Sequence, residues 1–180
     1  MSSASRLFIL IAATLVGTGL FATPALAQPT VAEVLPHLQG YEWSPRPDLV
    51  DRLGPDADLT LMTIAQDAQR HNFLRFRAIH LLRLYPSERV AAFLEQLPGA
   101  GREAGLTRRA LESHAAAFSA TQPERVERLA SDLLDHGDPH VRIQAAKTLR
   151  TLNTPSAAAL YRQRLQRVAP GSWEHAQWQE

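Results

Sequence analysis

The side chains best suited to chemistry in this chain are cations that recur along three segments of similar pattern. The segments are HNFLRFRAIHLLRLY (71–85), EAGLTRRALESHAAA (103–117) and DPHVRIQAAKTLRTL (138–152), and they align on Ala78, Ala110 and Ala145. In that alignment Arg75 and Arg142 share a position, with Thr107 between them. Arg77 and Arg109 share the next, followed by Gln144. His80, Glu112 and Lys147 share a third, and Arg83 and Arg150 a fourth, with Ala115 between. The candidate binding residues are therefore Arg75, Arg77, His80, Arg83, Arg109, Arg142, Lys147 and Arg150. A row of such cations suits an acidic peptide, a phosphorylated or carboxylated ligand, or an anionic glycan, because guanidinium groups meet carboxylate and phosphate oxygens in pairs. The structural alternative absorbs Arg75 and Arg142 in ion pairs, with Asp138 available four residues before Arg142, and leaves the other cations as solvated surface.

Other reactive groups do not assemble by spacing. His136 and His140 flank the Gly137-Asp138-Pro139 turn, and two imidazoles with a carboxylate are potential zinc or copper ligands. The turn keeps them off one helical face, and an HExxH pattern is absent, so no metal site and no cofactor is expected. Ser113 and His114 are adjacent, and adjacent helical residues point apart. Neither a nucleophile elbow nor a phosphate-binding or dinucleotide-binding glycine pattern occurs. Glu124 and Glu127 alternate with Arg125 and Arg128 as a solvated lattice.

The elements that must position these cations are helices. From residue 58 the apolar period is 3.6 rather than 2, and no hairpin signal occurs. Leu59, Met62, Ile64 and Ala68 mark a first helix with Asp58 as its cap, and Phe73 to Tyr85 a second, stopped by Pro86. Ser87 caps a third. Residues 102–119 form a fourth, with Gly105 a weak spot. Pro123, Pro139 and the Asn153-Thr154-Pro155 turn open three more, the last running over Ala157–Val168. In residues 28–57 Val31 to Leu38 fits a short helix, while four prolines argue against long elements. That stretch reads as an N-terminal extension or cap. Its Tyr41-Glu-Trp43-Ser-Pro45-Arg-Pro47 segment either covers the end of the array or docks a partner. Residues 169–180 read as a flexible tail unless Trp173 and Trp178 dock.

Asp138-Pro139-His140-Val141-Arg142, followed by Ala145-Ala146 and Leu149, resembles the second helix of a HEAT repeat. The 71–85 segment keeps Leu74-Arg75, Ala78 and Leu82. The 103–117 segment carries Thr107 for the arginine and His114 for the leucine. The resemblance covers residues 58–168. It implies an all-α fold, a short right-handed α-solenoid of HEAT-like hairpins whose second helices line a concave face, and protein or peptide binding there. It also implies that the arginine at the Arg142 position pairs with an acid on a neighbouring turn. HEAT-like repeats also occur in some lyases and in subunits of larger enzymes.

Residues 1–27 read as a cleavable signal peptide: Arg6, the apolar run Leu7 to Leu20, then Ala25-Leu26-Ala27 as the cleavage site. The apolar run is short for a membrane span, so no stable membrane insertion is expected after cleavage. The product, Gln28–Glu180, would carry 18 cations and 18 acids, which argues against general nucleic-acid binding. With no cysteine, disulfides, thiolate metal sites and a lipidated N-terminus are excluded. The sequence therefore points to a periplasmic or secreted, non-catalytic scaffold for a protein or peptide partner. An enzyme's accessory subunit, a HEAT-like lyase and a structural module of a periplasmic assembly are the alternatives.

Overall fold

The computed structural model describes residues 28–99 and 103–179; the expected signal peptide lies outside them. All regular structure among the described residues is α-helical. The helices are α1 (Val31–Leu38), α2 (Leu49–Leu53), α3 (Ala57–Gln66), α4 (Asn72–Leu82), α5 (Glu88–Gln96), α6 (Ala104–Phe118), α7 (Pro123–Leu133), α8 (Pro139–Thr151), α9 (Pro155–Leu165) and α10 (Trp173–Gln179). No helix among the described residues is long and apolar enough to cross a membrane.

Local chemistry sets the boundaries. Thr30 and Glu33 form a reciprocal capping box on α1, and Ser87 and Thr154 accept from backbone N–H groups at the starts of α5 and α9. Asp138 caps α8, with Pro139 in the first turn, where its missing N–H costs nothing. One expected cap is corrected. Asp58 does not cap α3, which begins at Ala57; it lies in the first turn, 1% exposed, and accepts from Arg89 of α5. His71 is a cap that the sequence pattern did not mark. Its Nδ1 accepts from the Phe73 N–H and starts α4.

The helices pair as hairpins, and their second members lie side by side: α4 against α6, α6 against α8, α8 against α10. Ala78, Ala110 and Ala145 are fully buried on three of these helices, where a methyl group lets backbones approach. Leu82 and Leu149, four residues after their alanines, are buried too, and His114 takes that position in α6, also fully buried. Helix α1 packs on α3 and α4 and covers the start of the array.

The first helices of successive hairpins are joined by long side chains across 27 to 37 residues of sequence. Arg89 of α5 reaches Asp58 and Asp56 at α3. Arg125 of α7 reaches Glu95 and Glu88 of α5. Glu127 of α7 accepts from Thr154 and Ser156 at the start of α9, and Arg164 of α9 meets Asp135. These ties set angles between hairpins, while apolar burial drives the packing.

The C-terminal stretch is not a loose tail. Trp178 is 2% exposed and stacks on Tyr161. The Tyr161 hydroxyl donates to the Trp178 carbonyl at 2.6 Å, and Arg150 Nη1 donates to the Gln179 carbonyl at 2.9 Å. The buried indole of Trp178 fixes the stretch to the body.

Candidate functional site

The row of cations divides into three groups. Arg75, Arg142 and Arg150 hold the array together. Arg75, 4% exposed, donates from Nε to the Ala65 carbonyl at the end of α3 and from Nη1 to Glu103 Oε1 at the start of α6. Arg142 does the same one repeat pair later. Its Nη1 donates to the His136 carbonyl at the end of α7, and its Nε to Glu174 Oε1 of α10 at 2.7 Å. Its acidic partner is thus Glu174, not the expected Asp138, whose carboxylate is occupied by the His140 N–H. Arg150 caps α10. Arg75 and Arg142 are withdrawn from the candidate binding wall, because their donors are engaged by carbonyls and carboxylates of the array, whereas Arg150 is exposed and engages only Nη1. Arg83 and Lys147 form a second group; both are half-exposed and make no hydrogen bond or ion pair with the described residues.

The third group, Arg77, His80 and Arg109, converges. It lines a groove of about 370 Å³ together with Trp43, Ser44, Pro45, Phe73 and Phe76. The groove crosses two hairpins, since Arg77 and His80 come from α4 and Arg109 from α6. Its outer wall is the loop after α1. Trp43 is fixed by its indole N–H, which donates to the His37 carbonyl at 2.8 Å, and Arg77 Nη1 donates to the next carbonyl, Leu38, at 2.7 Å. Together they satisfy the end of α1, which Pro36 and the extended Gln39 close.

The Arg77 guanidinium carbon lies 5.1 Å from the ring centre of Trp43 and 5.1 Å from that of Phe73. Cation–π contacts contribute about 0.5–2 kcal/mol each, enough to hold the side chain in place before any ligand arrives. Ordering a free arginine on binding costs about 0.5–1.5 kcal/mol, which this arrangement removes. Arg109 is steadied by Glu112 Oε2 at 2.7 Å. His80 meets Trp43 edge to face. Burial, and then the positive charge of Arg83, holds its pKa below the ordinary histidine range, so near neutral pH the imidazole is uncharged.

Gly105, a weak spot by sequence, has a packing reason. A Cβ there would sit 2.7 Å from the Phe76 ring, so the glycine lets that ring lie against the start of α6 and form the groove floor. Just outside, Tyr41 is fully exposed and Phe73 is 41% exposed. With Gly40 and Arg77 they border a second, more open cavity of about 460 Å³.

The sequence reading singled out Tyr41, Trp43 and Pro45 without deciding between cap and docking element. Trp43 does the capping and Tyr41 stays outside. It missed Phe73 and Phe76. Phe73 and Arg77 stand four apart on one helix face, and that spacing alone announces their contact. His136 and His140 build their turn instead of meeting each other: His136 Nδ1 accepts from the Asp138 N–H, and His140 packs on Trp173. Among the described residues no group of three or more His, Asp or Glu is arranged to hold a metal.

The fold and site define an all-α array of helical hairpins with a preorganised aromatic and cationic groove at its N-terminal end. No protein-family model matches the chain, and no significant match came from the curated proteins or the solved structures.

Proposed function

We propose that this chain is an exported, HEAT-like scaffold, a short right-handed solenoid that binds a protein or peptide partner without catalysis, and that it does so at the groove between α4 and α6. One observation carries the reading. The Arg77 guanidinium is held between two aromatic rings at the mouth of a groove, while neighbouring arginines of the same row are committed to internal partners. Tyr, Trp and Arg are the side chains on which binding energy at protein interfaces concentrates, and all three meet here with Phe. The resemblance of residues 138–149 to a HEAT second helix, with buried alanines on successive touching helices, supports the scaffold part of the reading. The apolar run before Ala25-Leu26-Ala27 supports export.

The test is affinity capture with the tagged full chain in its native cells. Arg77→Glu combined with Arg109→Glu should lose the co-purifying proteins that the unaltered chain retains. Lys147→Glu, a charge reversal outside the groove, should keep them. Equal recovery by the double variant and the unaltered chain would refute the site.

A further inference from the structure

Resting on that reading of the groove, we infer that its occupant is a short extended peptide segment in which one carboxylate stands between two aromatic side chains. Charge comes first. Arg77 and Arg109 line one cavity from two different hairpins, Arg83 adds a third positive charge near His80, and Glu112, tied to Arg109, is the counter-charge on α6. A guanidinium has five N–H donors, and Arg77 uses one Nη1 donor on the Leu38 carbonyl, which leaves donors for an incoming carboxylate.

Shape comes next. The groove and the open cavity beside it share Phe73 and Arg77. The cation therefore stands at their junction, with Tyr41 on one side and Trp43 and Phe76 on the other. Alternate residues of an extended chain point the same way, so a sequence of the form aromatic–x–Glu–x–aromatic turns all three anchors toward one surface. Cavities of about 370 and 460 Å³ admit individual side chains, not a folded element. An acidic sugar chain fits less well, because the lining of the two cavities holds no Asp, Asn, Glu or Gln to accept from sugar hydroxyls.

The experiment titrates acetyl-Phe-Ser-Glu-Ser-Phe-amide into the full chain by calorimetry, alongside its glutamine counterpart, its alanine-for-phenylalanine counterpart and a uronic-acid tetrasaccharide. Saturable binding is expected for the glutamate peptide, weakened about tenfold in each altered peptide, since losing one charge-assisted hydrogen bond or one aromatic anchor is a change of that size. The chain variant Arg109→Gln should weaken the glutamate peptide alone, while Tyr41→Ala should weaken the glutamate and glutamine peptides alike; Tyr41 is fully exposed, so its removal leaves the fold intact. Equal affinity for the glutamate and glutamine peptides, tighter binding of the tetrasaccharide, or no saturable peptide binding would overturn the inference. If capture still depends on Arg77 and Arg109 while the peptide fails, the groove stands as the binding site and the ligand class falls.

Discussion

Helices α4 and α6 hold equivalent places in successive hairpins and treat their buried polar atoms in opposite ways. In α4 the buried guanidinium of Arg75 reaches a helix-end carbonyl, an asparagine and a carboxylate of the next hairpin. In α6 the residue at that position is Thr107, fully buried, with no hydrogen-bond partner for its hydroxyl among the described residues. Ser113 and His114 of α6 are buried as well. The Ser113 hydroxyl has no partner among the described residues, and His114 Nε2 lies 3.3 Å from Glu95 without hydrogen-bond alignment. The α4–α6 and α8–α10 junctions are thus clipped by arginine, and the α6–α8 junction is not. A central helix enclosed by four others tolerates such groups only because its surroundings are already fixed, and it carries their desolvation cost.

The largest test removes a clip. Arg75→Ala strands the Ala65 carbonyl and leaves unfilled the space around a long buried stem, so unfolding in urea should show a loss of about 3 kcal/mol. A loss under about 0.5 kcal/mol would mean that the two junction types do not differ in the way drawn here.

His114 gives the next effect. Burial lowers its pKa, outweighing the nearby Glu95 carboxylate, so the folded chain holds it neutral. The unfolded chain takes up a proton near the ordinary histidine pKa. Stability is therefore full above about pH 6.5 and falls below it, by at most about 1.4 kcal/mol per pH unit for one site. His80, shifted in the same direction, adds to the slope. Thermal unfolding measured from mildly alkaline to mildly acidic pH should show a shallower decline in His114→Gln than in the unaltered chain. An identical decline would remove His114 from the explanation. Glu95 acts in the same direction in stronger acid: Arg125 lowers its pKa, so its contribution is full above the ordinary carboxylate range and is lost as the pH falls through and below it.

The smallest effect is a gain. Thr107→Val keeps the shape and removes an unpartnered hydroxyl, and should stabilise the chain by about 1 kcal/mol in the same urea assay. A loss of stability would show that the hydroxyl has a partner after all, and the contrast between α4 and α6 would then rest on Ser113 and His114.

Much of the architecture was legible in the residues. The 3.6 periodicity with proline and hydroxyl starts marked most of the helices, and the alanine alignment placed three buried contacts on successive touching helices. The alignment also marked Thr107 and His114 as the odd members of their positions, though not that both are buried. What the sequence left open was which cations are spent internally. The bond from Arg142 to Glu174 spans 32 residues and depends on α10 docking, and α10 docks because Trp178 has a hydrophobic seat that periodicity does not reveal. The groove was half visible: Arg77, His80 and Arg109 by register, but not the aromatic wall from the loop after α1, which tertiary folding brings to α4.

Because Phe76 and Arg77 ride on one hairpin and Gly105 and Arg109 on the next, the groove works as a caliper whose jaws belong to different repeats. Its gap is governed by the angle between the two hairpins, which the Arg75–Glu103 clip and the Arg89 tether help to fix. Any load that bends the array alters the aperture, and a ligand wedged between the jaws stiffens the array in return.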